Sequence, residues 1–275
     1  MARRGEIVCD PPFLKRIWLD RSRVRDTDQY PFCLPMLKDM DFNITFDHPI
    51  TVLVGENGSG KSTVLEGIAG LAGYDEAGGG KGYRPVDHSG SVERMGGSLA
   101  VALKASWWPK ITQGWFFRAE SFFSVARYLD QAALDANAPP PDFLSHSHGE
   151  GFLRFFEERT RRRGIFIFDE PESALSPARQ IDFLKILMRM KSARLTQVIM
   201  ATHSPLIMAL PGVQLLEISK YGLNNIAVEN VMHFRLLKEF YQNPAAFLED
   251  RLGSTETANV HPLRDDMRSN ESHER

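Results

Sequence analysis

The sequence predicts an α/β fold with a parallel central sheet, and three observations predict it. Short apolar runs at residues 50–54, 165–168 and 196–201 read as buried strands. Helical patterns at 62–71 and 177–190 alternate with them. A glycine-rich loop joins the first run directly to the first helical pattern. With 275 residues, 43% of them hydrophobic, the chain can bury one sizeable core, or one core with a lobe attached.

Phe13 to Leu19 is amphipathic and reads as a strand. Residues 40–46 alternate, with Met40, Phe42, Ile44 and Phe46 on one face, which is strand periodicity. Ile50-Thr51-Val52-Leu53-Val54 is short, apolar and partly β-branched, the signature of a buried strand. Residues 73–97 are glycine-rich without hydrophobic periodicity and are expected to be a mobile loop, softest at Gly78-Gly79-Gly80-Lys81-Gly82. Residues 99–103 look ordered, and 115–129 read as a helix containing Phe122, Phe123, Val125 and Tyr128. After a proline-rich break at 136–141, residues 151–163 form a helical pattern, with Phe152, Leu153, Phe155 and Phe156 on one side, ended by Gly164. Residues 214–219 and 225–230 flank Tyr221-Gly222 and suggest a hairpin, an antiparallel part of the fold. Residues 231–252 read as mostly helix, and 253–275 as a disordered polar tail. The expected organisation is a single domain over 1–252, with a small helical lobe at about 105–163.

Composition excludes several classes. A net charge of −2 gives no global basic field for nucleic acid. Cys9 and Cys33 have neither disulfide-scaffold nor zinc spacing and are expected as reduced thiols. No apolar stretch approaches the ~18 residues that span a bilayer, and the N-terminus has no apolar run behind its charges. The expectation is a cytoplasmic protein without a transmembrane segment of its own.

Gly55, Gly60, Lys61 and Ser62 satisfy the pattern GxxxxGK[ST], between a β-branched run and a helical pattern. In that setting backbone N–H groups wrap phosphates, Lys61 reaches the β- and γ-phosphates, and the Ser62 hydroxyl binds Mg²⁺. A second candidate is Asp169-Glu170. Alone, an acidic pair before Pro171 reads as a helix cap. At the end of an apolar strand and downstream of a phosphate loop, Asp169 can reach the metal shell and Glu170 can deprotonate a water.

Together these residues resemble the ABC (ATP-binding cassette) class of P-loop ATPases. Glu56-Asn57-Gly58-Ser59-Gly60-Lys61-Ser62-Thr63 looks like that class's phosphate loop, and residues 165–170 with Pro171 like its acidic strand. Ser173-Ala174-Leu175-Ser176 sits at the D-loop, Thr202-His203-Ser204 at the switch histidine, and Ser147-His148-Gly149-Glu150 at the signature loop. The resemblance covers roughly 12–250. His146 and His148 depart from the usual signature and read as solvated loop residues sooner than as a pH-sensitive pair. The interval from Lys61 to Ser147 holds no heptads and no coiled-coil arm. With residues 115–123, the chain resembles the small stand-alone AAA family ATPases related to SMC and repair-type heads.

The resemblance implies a P-loop NTPase of ABC type, its mixed, mainly parallel sheet flanked by helices. It implies ATP and Mg²⁺ as ligands and hydrolysis to ADP and phosphate. Gly55, Glu56, Asn57, Gly58, Ser59, Gly60, Lys61, Ser62 and Thr63 would hold the phosphates, and Ser62 and Asp169 the metal. Lys61, Glu170 and His203 would be catalytic, though a lone histidine after a strand also reads as core. Gln113 is the Q-loop candidate, with Glu120 as the alternative. Ser147, Gly149 and Glu150 would contact the ATP of a second copy in an ATP-dependent head-to-tail homodimer. Phe13, Tyr30 and Phe32 could stack on adenine or belong to the core. The role stays open: DNA repair or phage defence, resting on Arg21, Arg23, Arg25 and the arginines of 159–163, which also read as solvated helix ends; the ATP-binding subunit of an ABC transporter with a membrane partner; or a regulatory switch.

Overall fold

The computed structural model describes residues 9–38, 41–76, 78–81, 97–120, 122–135, 137, 139–140 and 148–252. In chain order its elements are β1 (Leu14–Leu19), α1 (Pro35–Lys38), β2 (Asn43–Thr45), β3 (Ile50–Val54), α2 (Lys61–Ala72), α3 (Gly97–Ala102), β4 (Leu103–Trp107), β5 (Gly114–Arg118), α4 (Phe122–Asp135), α5 (His148–Arg159), β6 (Gly164–Asp169), α6 (Pro177–Ala193), β7 (Thr196–Ala201), α7 (Pro205–Met208), β8 (Gln214–Ser219), β9 (Gly222–Asn225), α8 (Met232–Gln242) and α9 (Pro244–Leu252). No helix among the described residues is long and apolar enough to cross a membrane.

The strands form two sheets. One has the order β5-β6-β7-β3-β8-β9, parallel throughout except for β9, which returns antiparallel beside β8. The other is antiparallel, in the order β2-β1-β4. Every residue of β3, β6 and β7 is buried, because both faces of the parallel sheet are covered. Side chains still alternate between two cores, as the pleat requires. Leu53, Ile165, Ile167, Ile199 and Ala201 join α2 and the antiparallel sheet. Val52, Val54, Phe166, Phe168, Val198 and Met200 join α4, α5, α6 and α7.

The second core is largely aromatic. Phe117 stacks on Phe168 with ring centroids 4.7 Å apart, and Phe156 meets both rings edge-on at 4.6 and 5.0 Å. Such pairs contribute about 0.5–1.5 kcal/mol each beyond their burial, and they fix α5 to the sheet. Two buried glutamines bridge the sheets. Gln197 on β7 accepts from Phe13 N and Leu14 N, both at 2.8 Å, and donates to Leu14 O at 3.0 Å. Gln214 on β8 donates to Thr45 O at 2.9 Å and accepts from Asp47 N and the Thr51 hydroxyl at 3.2 and 3.1 Å.

The chain divides into two compact units, Met1–Phe234 and Arg235–Arg275. Both sheets lie in the first. Within the second, the Phe240 and Phe247 rings meet at 5.6 Å, and Arg251 Nη2 lies 3.6 Å from Glu239 Oε2.

The strands at 50–54, 165–168 and 196–201 and the helices after them form where the sequence places them. Elsewhere it misleads. The helix expected at 115–129 begins only at Phe122, and 114–118 is strand β5; its Trp115-Phe116-Phe117 run is apolar because both faces are buried. The segment 105–118, expected in a helical lobe, therefore holds the end of β4 and all of β5. The helix expected to end at Gly164 ends at Arg159, and Gly164 opens β6, where an added Cβ would come within 2.7 Å of Gln113 O. The second hairpin strand is β9 at 222–225, since Gly222 at φ +103° closes a turn over Lys220 and Tyr221; a 3-10 turn occupies Val228–Asn230. Gly78, Gly79 and Gly80 are fixed rather than mobile. Gly79 exchanges two hydrogen bonds with Phe116, at 2.8 and 2.9 Å, and a Cβ on Gly80 would press on the Trp115 ring at 2.9 Å. Gly82, Met40 and the tail 253–275 lie outside the described residues.

Candidate active site

β3, β6 and β7 are neighbours and parallel, so the segments leaving their C-terminal ends converge. These are the loop 55–60, the pair Asp169-Glu170 and the loop carrying His203. Gly55 leaves β3 at φ +147°, where a Cβ would stand 2.3 Å from Ile218 O. Gly60 at φ +97° precedes Lys61, the first residue of α2. No side chain caps α2, so its first N–H groups and the positive end of its dipole are available to an anion. Ser59 Oγ is buried without a hydrogen-bond partner. An orphaned hydroxyl beside an uncapped helix start fits a phosphate.

Lys61 is buried and folds back, Nζ donating to Gly55 O and Glu56 O, both at 2.9 Å. Burial lowers its pKa, and the charges of Glu170, Asp169 and Glu172 oppose that. Ser62 Oγ donates to Asp169 Oδ1 at 3.1 Å. Burial pushes Asp169 up to about 6, against the pull of Arg118 and the Ser62 hydrogen bond. Two hard oxygen donors meeting beside the phosphate loop fit a Mg²⁺ completed by nucleotide phosphates.

Glu170 adopts φ +47° and ψ +55°, left-handed backbone that is costly for a residue with a Cβ and gathers at functional sites. Its Oε1 lies 3.6 Å from His203 Nε2, a buried nitrogen without a hydrogen-bond partner. Burial, then the Lys61 charge, lowers the His203 pKa, favouring the neutral imidazole.

Gly149 and Glu150 lie in the first turn of α5. A Cβ on Gly149 would make ordinary contact with Ala174 O, at 3.6 Å, and Glu150 pairs with Arg179 of α6. Ser147 and His146 lie outside the described residues. Gln113 is not brought to this site. It precedes β5 at the end opposite Asp169, its carbonyl receiving Ile165 N and the Tyr74 hydroxyl. Glu120 follows the correct end of β5, 86% exposed, with Oε2 3.7 Å from Arg118 Nη2. Of the adenine candidates, Phe13 and Phe32 are core, while Tyr30 is 44% exposed and hydrogen-bonds the Thr63 hydroxyl.

Arg118 and Glu172 escaped the sequence reading. Arg118, paired in register with Asp169, binds Glu66 Oε1 at 2.7 Å and places Nε 3.7 Å from Asp169 Oδ2. A lone cation closing an aromatic run beside an acidic strand end was its signal. Glu172 accepts from His203 N at 2.5 Å, a partnership 31 residues apart that no local pattern reveals.

The AAA-domain family described as "AAA domain, putative AbiEii toxin, Type IV TA system" matches residues 132–209, and a second family described as "AAA domain" matches 37–94. No curated protein matches the chain. Similar solved structures include CbiO1 from Clostridium perfringens, part of the ABC transporter complex CbiONQ, at 15% identity and TM-score 0.42, covering 86% of this chain and 98% of that one. Another is the SMC head domain from Thermotoga maritima, at 16% identity and TM-score 0.41, covering 78% and 98%. One AAA-domain match spans the phosphate loop and its helix, the other the acidic strand and the histidine loop, so the likeness to AAA domains covers each part of the candidate site.

Proposed function

We propose that this protein binds ATP with Mg²⁺ in the cytoplasm, hydrolyses it to ADP and phosphate, and pairs head to tail with a second copy when ATP is bound. The observation that carries this reading is the Ser62–Asp169 hydrogen bond at 3.1 Å, with Glu170 and His203 3.6 Å apart beside it. The N–H groups of the loop and of the α2 start hold the phosphates. Lys61 exchanges its two carbonyl contacts for phosphate oxygens. Ser62 and Asp169 hold the cation, which when bound neutralises charge on the phosphates. Glu170 accepts the proton of the attacking water as general base. His203, neutral, orients that water and the terminal phosphate. Tyr30 serves as the adenine-facing ring. Ser147, Gly149 and Glu150 meet the ATP of the partner copy, so ATP favours the closed pair by touching both halves only there.

What hydrolysis drives is read as DNA repair or phage defence, and the family matching 132–209 is one whose description names a "putative AbiEii toxin, Type IV TA system". A direct nucleic-acid role gains less support. Arg159 stacks over Trp115 and Phe155, at 4.9 and 5.5 Å, and Arg163 donates to Cys9 O at 2.9 Å and covers Phe13. Arg21 faces Asp41, and Arg23 faces Asp20. Arg159 and Arg163 thus serve the protein's own packing, while Arg21 and Arg23 form exposed ion pairs.

The test is Glu170→Gln with ATP and Mg²⁺. It should bind ATP, lose phosphate release and elute as a dimer in size-exclusion chromatography. A variant that stays monomeric with ATP sinks the head-to-tail pair. Wild-type turnover stimulated by double-stranded DNA and weakened by salt would restore the nucleic-acid role, and co-purification with a membrane protein would favour transport.

A further inference from the structure

We infer that Glu172 is a positioning residue for His203: it grips the histidine's backbone from the same turn that carries Glu170, and so sets the distance between imidazole and general base. The inference rests on the ATPase reading of the site.

Three observations support it. First, Glu172 Oε1 accepts the His203 N–H at 2.5 Å, and the Thr202 hydroxyl donates to the same carboxylate. The loop after β7 is thereby tied to the turn after β6. Second, that turn is itself fixed. Ser173 N and Ser173 Oγ both donate to Glu170 O, at 3.1 and 2.8 Å, and Leu175 N donates to Glu172 O at 2.9 Å. Glu170 and Glu172 therefore move together, one beside the imidazole and the other on its backbone. Third, Ser204 holds the downstream side of the histidine loop. Ser204 N donates to Thr202 Oγ1 at 3.0 Å, and Ser204 Oγ donates to Gln180 Oε1 at 2.6 Å and accepts from Ile207 N at 3.3 Å. Of the contacts between the two loops, the one at the His203 amide acts on the histidine itself. Glu172 Oε2 is buried and makes no hydrogen bond, so only one oxygen does the holding.

Losing the Oε1 contact frees the His203 backbone, and a displacement of about 1 Å in a reacting assembly costs up to about 10²-fold in rate. Binding of ATP depends on the phosphate loop and is not expected to change. A group that takes part in proton transfer would need its charge. A group that only positions needs an acceptor oxygen, which glutamine also supplies.

The experiment measures kcat and KM for ATP, with melting temperature, in Glu172→Ala, Glu172→Gln, His203→Ala and the double alanine variant of the full chain. The expected result is a kcat fall of about tenfold or more for Glu172→Ala with KM within about twofold. Glu172→Gln should stay within about threefold of wild type, and the double variant should match His203→Ala, as residues acting as one unit do. Undiminished kcat in Glu172→Ala, an equal loss in Glu172→Gln, or losses that multiply in the double variant would each overturn the inference. If Glu172→Ala does not fold, the His203 amide decides the contact: its hydrogen exchange should be slow in wild type, and fast exchange there refutes the inference. Absence of turnover in wild type would instead refute the ATPase reading, whereas full turnover in His203→Ala would overturn the inference by leaving Glu172 nothing to position; the amide exchange still reports on the Glu172 contact in either case.

Discussion

Arg118→Met removes the cation that holds two buried carboxylates together. In the native protein Arg118 is 13% exposed, Glu66 9% and Asp169 7%, with contacts of 2.7 Å to Glu66 and 3.7 Å to Asp169. Methionine keeps much of the length and the apolar contact with the Phe116 ring. It leaves both carboxylates without their guanidinium. Breaking a buried ion pair from one side costs about 3–5 kcal/mol, mostly as the penalty of the stranded charge. At about 2–4 °C per kcal/mol for a domain of this size, the melting temperature should fall by about 6–20 °C. Burial already raises the Glu66 pKa and Arg118 opposes it, so the variant's Glu66 rises further. The folded state then holds a proton that the unfolded chain releases, so the deficit should be larger at pH 8 than at pH 5.5. Adding Glu66→Leu removes one stranded carboxylate and should recover about half of the loss. The assay is thermal unfolding followed by circular dichroism without nucleotide or Mg²⁺. A fall of less than about 2 °C, or a double variant no more stable than Arg118→Met, would refute the reasoning.

Two other outcomes are expected. Gly55→Ala forces a Cβ to within 2.3 Å of Ile218 O at φ +147°; it should cost about 1–3 kcal/mol from backbone strain alone and abolish ATP binding by calorimetry, and wild-type affinity would show that the loop does not need this conformation. Lys104→Met addresses acid stability. The Lys104 ammonium, 2.9 Å from Asp20 Oδ2, is the main reason that Asp20 is lowered from 3.8 to about 2. A depressed carboxylate stabilises the fold above its unfolded pKa, and that contribution disappears as pH falls from about 4 to 2. The wild-type melting temperature should drop more steeply over that interval than the variant's, and parallel curves would deny the link.

The phosphate loop and the acidic strand were legible because each is set locally. A strand, a few glycines and a helix start are contiguous from Ile50 to Ala72, and burial on both faces makes β3 and β6 mostly apolar, with Thr51 and the terminal Asp169 as the polar members. The same double burial hid β5. Trp115, Phe116 and Phe117 serve two cores at once, so the run shows no alternation and merges with the aromatic start of α4. Gly78 to Gly80 read as slack because glycines usually signal turns, whereas here their lack of side chains lets backbone lie against β5 and the Trp115 ring. Residue type alone makes Gln113 a candidate; only the register of β5 on β6 places it at the wrong end of the strand. Arg118 and Glu172 act through partners that arrive from other strands, and residue spacing carries no trace of such meetings.

The glutamine bridges bear on how this domain can be taken apart. Gln197 reads the backbone of β1 much as a neighbouring strand would, and Gln214 does the same for the stretch around Thr45 and Asp47. Each belongs to the six-stranded sheet, yet Gln197 spends its amide on β1 and the residue before it, and Gln214 divides its amide between Thr45 and Asp47 on one side and Thr51 on the other. Cutting the chain between the two sheets, or grafting the antiparallel sheet onto a different core, would bury amide groups with nothing to bind. The three-stranded sheet is therefore no detachable module: a chimera that inherits it must inherit Gln197 and Gln214 as well.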